Sequence, residues 1–352
     1  MKPGYIAATL LGCVAASAFG QGQPAAQKSL QAWEDPAQPA VLAKCKNPAP
    51  AFKLPPMPAV VSAATPAAAA PPTPVSAAIP GVIEAGKTWK VVWQGEGNNA
   101  DGPIATDDGG LLFARNDRSD VLKIDASGKE SIVHKDTRTG GSLSRNAKGD
   151  LFVVARGLNP SILQLEPQRK VLAGTFRGEP LDCVGGILND LSADRKGGAY
   201  FTLGGLYYAS ATGVITQYGK DLRTNGVILS PDEKVLYVTN GPTVAAFDVG
   251  DDGSLKNQRE FARLSSGNGD GSTVDAEGRL YVSTGRNVDV FAKDGKLLGT
   301  IPGPEGLHGV AFSGADKKTL YAVVLTGFMT PNRKSTVIAI PTIAQGYKGR
   351  AK

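Results

Sequence analysis

Asp270-Gly271-Ser272-Thr273-Val274-Asp275-Ala276-Glu277-Gly278-Arg279-Leu280-Tyr281-Val282-Ser283 reads as strand, turn and strand. Asp275-Ala276-Glu277-Gly278 has the residue types of a tight turn: Asp bonds to the nearby backbone, and Gly takes φ values that other residues avoid. Leu280 to Ser283 is an apolar run centred on Tyr281, and Val288 to Phe291 alternates as a second strand. The same phrase recurs at Phe113 in LLFA, Phe152 in LFVV, Tyr200 in AYFT, Tyr237 in LYVT and Tyr321 in LYAV. These aromatics stand roughly 37 to 48 residues apart, about one four-stranded propeller blade. Turns precede them, as at Asp107-Asp108-Gly109, Asn146-Ala147-Lys148-Gly149 and Pro231-Asp232-Glu233-Lys234. Second strands follow them, at Val121 to Ile124, Ile162 to Leu165, Leu206 to Tyr208, Val244 to Phe247 and Val337 to Ile340.

Six such units predict an all-β chain, a six-bladed β-propeller over residues 88–352. Composition agrees, since 44 Gly and 24 Pro against three Met suit short strands and many turns. The last unit ends near Pro341 with three strands, and Thr88 to Gln94 supplies the strand that completes the sixth blade. Closure of this kind leaves no open sheet edge.

Ahead of the repeats, an Ala- and Leu-rich run from Tyr5 to Phe19 follows Met1-Lys2 and is short for a membrane span. It predicts a signal peptide over residues 1–20, with cleavage after Ala16-Ser17-Ala18 or Ala18-Phe19-Gly20. Leu10-Leu11-Gly12-Cys13 resembles a lipobox, so a lipid anchor at Cys13 is the open alternative. Either reading places the protein in the periplasm or outside the cell. Residues 21–87 form an N-terminal segment and an Ala/Pro-rich linker, in which Pro48 to Pro80 lacks the bulky residues needed to offset ordering entropy. Lys28 to Lys46 has weak helical character and carries Cys45. With Cys13 removed, Cys45 and Cys183 remain, either as a disulfide that pins this segment or as two thiols. The formal charge of +6 comes from interleaved acidic and basic residues with no basic run, which speaks against a nucleic-acid partner.

In a propeller the innermost strand of each blade starts at one mouth of the central channel. Counting back about eleven to thirteen residues from each aromatic gives Asp101-Gly102, Gly140-Gly141, Asn189-Asp190, Asn225-Gly226, Asp270-Gly271 and His308-Gly309. Asp101, Asn189, Asn225 and Asp270 offer oxygen donors only, as a hard divalent cation such as Ca²⁺ prefers. Zinc is disfavoured, because the chain has two His and no paired Cys motif. A plainer reading, that Asp-Gly and Asn-Gly merely form turns, is weakened by their equivalent placement in separate units.

Leu188-Asn189-Asp190-Leu191, Thr224-Asn225-Gly226 with Leu229-Ser230-Pro231-Asp232, and Asp270-Gly271 with Val274 to Gly278 resemble the gluconolactonase, senescence marker protein and luciferin-regenerating enzyme family. That resemblance, over about Ala100 to Ile340, implies hydrolysis of a lactone by a propeller that holds one divalent cation, commonly calcium. It maps the metal ligands onto Asp101, Asn189, Asn225 and Asp270. Asp270 and Asp190 are the two candidates for the base, and Asp190 is preferred because a cation lowers the basicity of a carboxylate bound to it. His308, Arg118 and Arg223 are weaker candidates for contact with substrate. The chain departs from the family pattern at Asp101 for Glu, Gly140-Gly141 for Asn-Gly, Ile187 for Arg, and Leu203 for Asp. A catalytically silent propeller that binds a ligand or partner is the alternative function, and a different chemistry on this scaffold is a third.

Overall fold

A computed structural model describes residues 29–50, 74–328, 330 and 332–352. The expected signal peptide with Cys13, and most of the Ala/Pro tract, lie outside the described residues. What is described is almost entirely β. Four antiparallel four-stranded sheets begin at the strands Asp101–Ala105, Gly140–Arg145, Leu188–Ala193 and Thr224–Leu229. A small two-stranded ladder joins Thr175–Phe176 to Glu179–Pro180, and a seven-stranded sheet takes the rest, from Ser272–Val274 at one edge to Lys90–Glu96 at the other. Its long strand Leu297–Ser313 is shared: the first half pairs with Gly285–Phe291 and the second half with Thr319–Thr326. Lys90–Glu96 pairs antiparallel with Lys334–Pro341, from Lys90 opposite Ala339 to Glu96 opposite Lys334. An N-terminal strand and the last strand of the chain therefore share one sheet.

Asp101–Ala105 packs on Gly140–Arg145, that strand on Leu188–Ala193, and so on through Thr224–Leu229, Ser272–Val274 and the Leu297–Ser313 strand, which returns to Asp101–Ala105. Between the sheets lie the repeat aromatics, with Phe113, Phe152, Tyr200 and Tyr281 fully buried. Burying one such side chain stabilises the fold by about 1.5–3 kcal/mol. The turns form as their residues dictate. Asp275 Oδ1 accepts from the Glu277 and Arg279 amides at 3.0 and 2.9 Å, and Asp194 Oδ1 accepts from those of Lys196 and Gly198 at 2.8 and 2.9 Å. Each turn then passes through a glycine at positive φ, 77° at Gly278 and 94° at Gly197.

Two segments differ from the sequence reading. Residues 74–87 are not linker: Ile79, Val82 and Ile83 are buried against the seven-stranded sheet, and Val75 bridges Thr88. Three branched apolar residues anchor this end of an otherwise Ala/Pro-rich tract. After Pro341 the chain runs on beneath the sheets, with bridges from Gly346 to Asp275 and from Ala351 to Arg145. Cys45 and Cys183 form a disulfide with Cα atoms 5.6 Å apart. Among the described residues no helix is long and apolar enough to cross a membrane.

Candidate active site

The channel positions owe their orientation to a repeated irregularity. Pairing of five of the six inner strands with their neighbours breaks register, between Asp101 and Ile104, Gly140 and Leu143, Leu188 and Leu191, Thr224 and Val227, and Leu307 and Gly309, while Ser272–Val274 pairs in regular register. A bulge re-aims the side chains at its position, and here it falls where the polar residues stand. The glycines beside them serve close packing rather than turns. A Cβ on Gly226 would lie 2.2 Å from the Asp270 carbonyl oxygen, and one on Gly102 would lie 2.3 Å from Ser142 Cα. Inner strands thus meet backbone to backbone, which explains Asp-Gly and Asn-Gly at equivalent places.

Asp101, Asn189, Asn225, Asp270 and His308 come together on the floor of a cavity of about 540 Å³. Directly beneath is a small space of about 20 Å³ bordered by the same five residues together with Asp190, Ser142 and Lys352. That is room for a single water or ion.

Arg156, absent from the sequence reading, organises one side of this floor. It is buried, and its Nη1 donates to Asp101 Oδ2 at 2.6 Å. Nη2 donates to the Asn189 carbonyl at 2.6 Å and to Asn189 Oδ1 at 3.2 Å, and Nε donates to the Leu188 carbonyl at 2.9 Å. The guanidinium fits only because residue 141 is glycine, where a Cβ would fall 2.2 Å from Arg156 Cζ. Burial works against ionisation of Asp101, but Arg156 and His308 outweigh it and hold the carboxyl below its ordinary value.

Asp190, expected to be the base, is instead a saturated counter-ion. Oδ1 accepts from Lys352 Nζ at 2.5 Å, the Leu191 amide at 2.9 Å and the Ser142 hydroxyl, while Oδ2 accepts from the Val227 amide at 2.8 Å. A carboxylate with both oxygens engaged this way has little room left for a water to approach. Lys352 reaches it from the chain's last residue and also donates to the Leu191 and Val227 carbonyls at 2.5 and 2.6 Å. Burial pulls the Lys352 ammonium below its ordinary pKa, against the opposing charge of Asp190.

Asp270 has the contrary environment. Burial pushes it up to about 6, and the nearby charges of Asp101 and Asp190 add to the rise while His308 and the Gly271 amide oppose it. His308 Nδ1 lies 3.2 Å from the Gly306 carbonyl. A carbonyl only accepts, so Nδ1 carries the proton of that bond, and Nε2 is left for the cavity. Arg118 and Arg223, expected near substrate, are exposed and do not line the cavity; Arg156 and Arg333 do. Arg118 ends a short 3-10 turn, Asn116–Arg118, and Arg223 lies in a loop, and sequence offered no sign of which Arg faces inward. His134 pairs with Glu166 at 2.8 Å, well away from this floor in an outer strand.

The four oxygen donors suit a hard cation in chemistry, and the small space suits one in size. Asp101 and Asp270 border the same small space, and two carboxylates sharing a site favour a positive charge between them.

Residues 99–326 match the SMP-30/gluconolactonase/LRE-like region. A gluconolactonase of Zymomonas mobilis is 28% identical over 192 residues, covering 45% of this chain and 52% of its own length. The chain thus spans about half the length of that curated relative. Among solved structures, a gluconolactonase from Xanthomonas campestris superposes with a TM-score of 0.64 at 24% identity, covering 78% of this chain and 96% of its own. A structure described as a calcium-binding protein, regucalcin, from Agrobacterium tumefaciens gives 0.59 at 16% identity, covering 74% and 98%. At these identities the structures speak to the fold.

Proposed function

Because this chain belongs to the SMP-30/gluconolactonase/LRE-like family, we propose that it is a lactone hydrolase working at the mouth of a six-bladed β-propeller. The observation that carries the reading is the convergence of Asp101, Asn189, Asn225 and Asp270 on one cavity floor, with Asp270 pushed up to about 6. These four residues would hold one divalent cation, calcium by the character of its donors. When bound, it would supply Lewis-acid polarisation of the lactone carbonyl.

The chain's own residues provide the rest. Asp270 accepts a proton from the attacking water as the water oxygen bonds to the carbonyl carbon. The ring C–O bond then breaks, and its oxygen takes the proton back from the Asp270 carboxyl, leaving the hydroxy acid. Asp270, its basicity lowered by a bound cation, would face an attacking water made more acidic by the same charge, so the transfer between them would still be matched. His308, oriented by Gly306, offers its Nε2 side as a hydrogen-bond partner for a hydroxyl or water in the cavity. Arg156 fixes Asp101 and Asn189, and Lys352 keeps Asp190 out of the proton traffic. The Cys45–Cys183 disulfide supports an exported protein, periplasmic or secreted, in keeping with the signal peptide expected over residues 1–20.

Asp270→Asn tests the assignment. Lactone turnover should fall by about 10²-fold or more while the melting temperature stays near that of the parent. Retained turnover would remove Asp270 from the chemistry. The second reading, a propeller that binds without turnover, draws on Arg156 already engaging Asp101 and Asn189, two of the four donors.

A further inference from the structure

The part of the chain that matches the family begins at residue 99, yet residues 29–50 help to build the cavity. This segment is fastened along its length. Ser29 Oγ bonds to Ser119 Oγ and Thr139 Oγ1, both at 2.7 Å, and the Ala32 amide donates to the Arg156 carbonyl at 2.8 Å. A short 3-10 turn, Ala32–Glu34, follows, then a helix, Gln38–Leu42. Beyond the helix, Cys45 is bonded to Cys183, the Lys46 amide donates to Glu179 Oε1 at 2.6 Å, and the Ala49 amide donates to the Cys183 carbonyl at 3.1 Å. The strap therefore crosses from the first sheet past Arg156 to the edge of the third, over the mouth of the site.

Where it crosses, Trp33 enters the lining of the cavity whose floor is Asp101, Asn189, Asn225 and Asp270. Ile187, Leu307, Leu325 and Phe328 share that lining with it. The polar groups above the floor are Gln31, Glu34, Asn98, Asp117 and Arg333, of which Asp117 Oδ2 already accepts from the Asn98 amide at 2.9 Å and from Arg333 Nη2 at 3.0 Å. A hydroxyl placed on the side of the cavity formed by Trp33, Ile187, Leu307, Leu325 and Phe328 would be buried against carbon, which is costly. An alkyl or aryl substituent on the lactone ring would gain by leaving water.

We propose that residues 29–50 form a strap, locked by Cys45–Cys183, whose Trp33 completes the substrate cavity and selects lactones with an apolar substituent over polyhydroxylated sugar lactones. The inference rests on the lactonase reading for its chemistry but on the cavity alone for its binding preference. Its test has two arms on the full-length oxidised protein. The first compares kcat/KM on a six-membered lactone carrying a five-carbon chain with kcat/KM on gluconolactone. The alkyl lactone should be favoured by tenfold or more, and Trp33→Ala should reduce that preference by about tenfold. Trp33→Phe should restore most of it. Joint replacement Cys45→Ser with Cys183→Ser should weaken it in the same direction by freeing the strap.

The second arm is calorimetric titration with the matching alkyl lactam, which has no ester to cleave. It should bind the parent protein and bind Trp33→Ala about tenfold more weakly. Preference for gluconolactone, or lactam affinity untouched by Trp33→Ala, overturns the proposal. Lactam binding that depends on Trp33 without turnover of any lactone supports the strap and removes the lactonase reading. Absence of both overturns both.

Discussion

Replacing Arg156 with Met keeps the bulk of the side chain and removes its charge and its donors. The guanidinium makes four hydrogen bonds: to Asp101 Oδ2, to the carbonyls of Leu188 and Asn189, and to Asn189 Oδ1. Breaking a buried ion pair by deleting one partner costs about 3–5 kcal/mol, because the other charge stays behind. For a domain of this size each kcal/mol shifts the melting temperature by about 2–4 °C, so Arg156→Met should lower it by roughly 6–20 °C. The sign with pH follows from Asp101, whose carboxyl is held below its ordinary value of 3.8 in the folded protein. Stability from such a group is present above the unfolded pKa and is lost as pH falls through the folded one. The gap between parent and variant should therefore be full near neutrality and narrow below about pH 4. Calorimetric melting across pH 3 to 8, in chelator, makes the measurement. A shift under about 2 °C near neutrality, or a gap that widens in acid, would refute the reasoning.

Lys352→Met strips Asp190 of its cation in a buried site, and melting should drop by several degrees; Asp190→Asn in the same chain should recover much of the loss, as a double-mutant cycle would record. Asp182 tests a different point. Both its carboxylate oxygens are buried with no hydrogen-bond partner among the described residues, and burial raises its pKa. A raised carboxyl gives stability that is present below the unfolded pKa and lost as pH rises through the folded one. Asp182→Asn should thus raise the melting temperature at pH 7, with the gain vanishing in acid. An unchanged or lower value at pH 7 would show the carboxylate to be well solvated in solution.

The repeat was legible because each unit restates the same local physics: a turn whose Asp and Gly have fixed roles, then an aromatic that must be buried. The floor was legible for the same reason, since Asp101, Asn189, Asn225, Asp270 and His308 occupy one position of the repeat, and a bulge falls at all of them but Asp270. What escaped was whatever does not repeat. Arg156 sits in a loop, and its only local trace was Gly141, whose missing Cβ makes room for it. Lys352 comes from the last residue, at a distance no periodicity spans, and without it Asp190 looked like an unoccupied base. The strap carried one clue in Cys45, but its crossing of the cavity depends on contacts with Ser119, Arg156 and Cys183 far along the chain. Ile79, Val82 and Ile83 were hidden by the low-complexity sequence before them, although three branched residues so close together are uncommon in a linker.

Lactone hydrolysis with and without chelator addresses the central claim most directly, using a panel that includes alkyl-substituted and sugar lactones. The account predicts turnover that chelator abolishes and added calcium restores, with calcium also raising the melting temperature because it binds the folded state alone. Turnover indifferent to chelator, or none on any lactone in the presence of calcium, would contradict it.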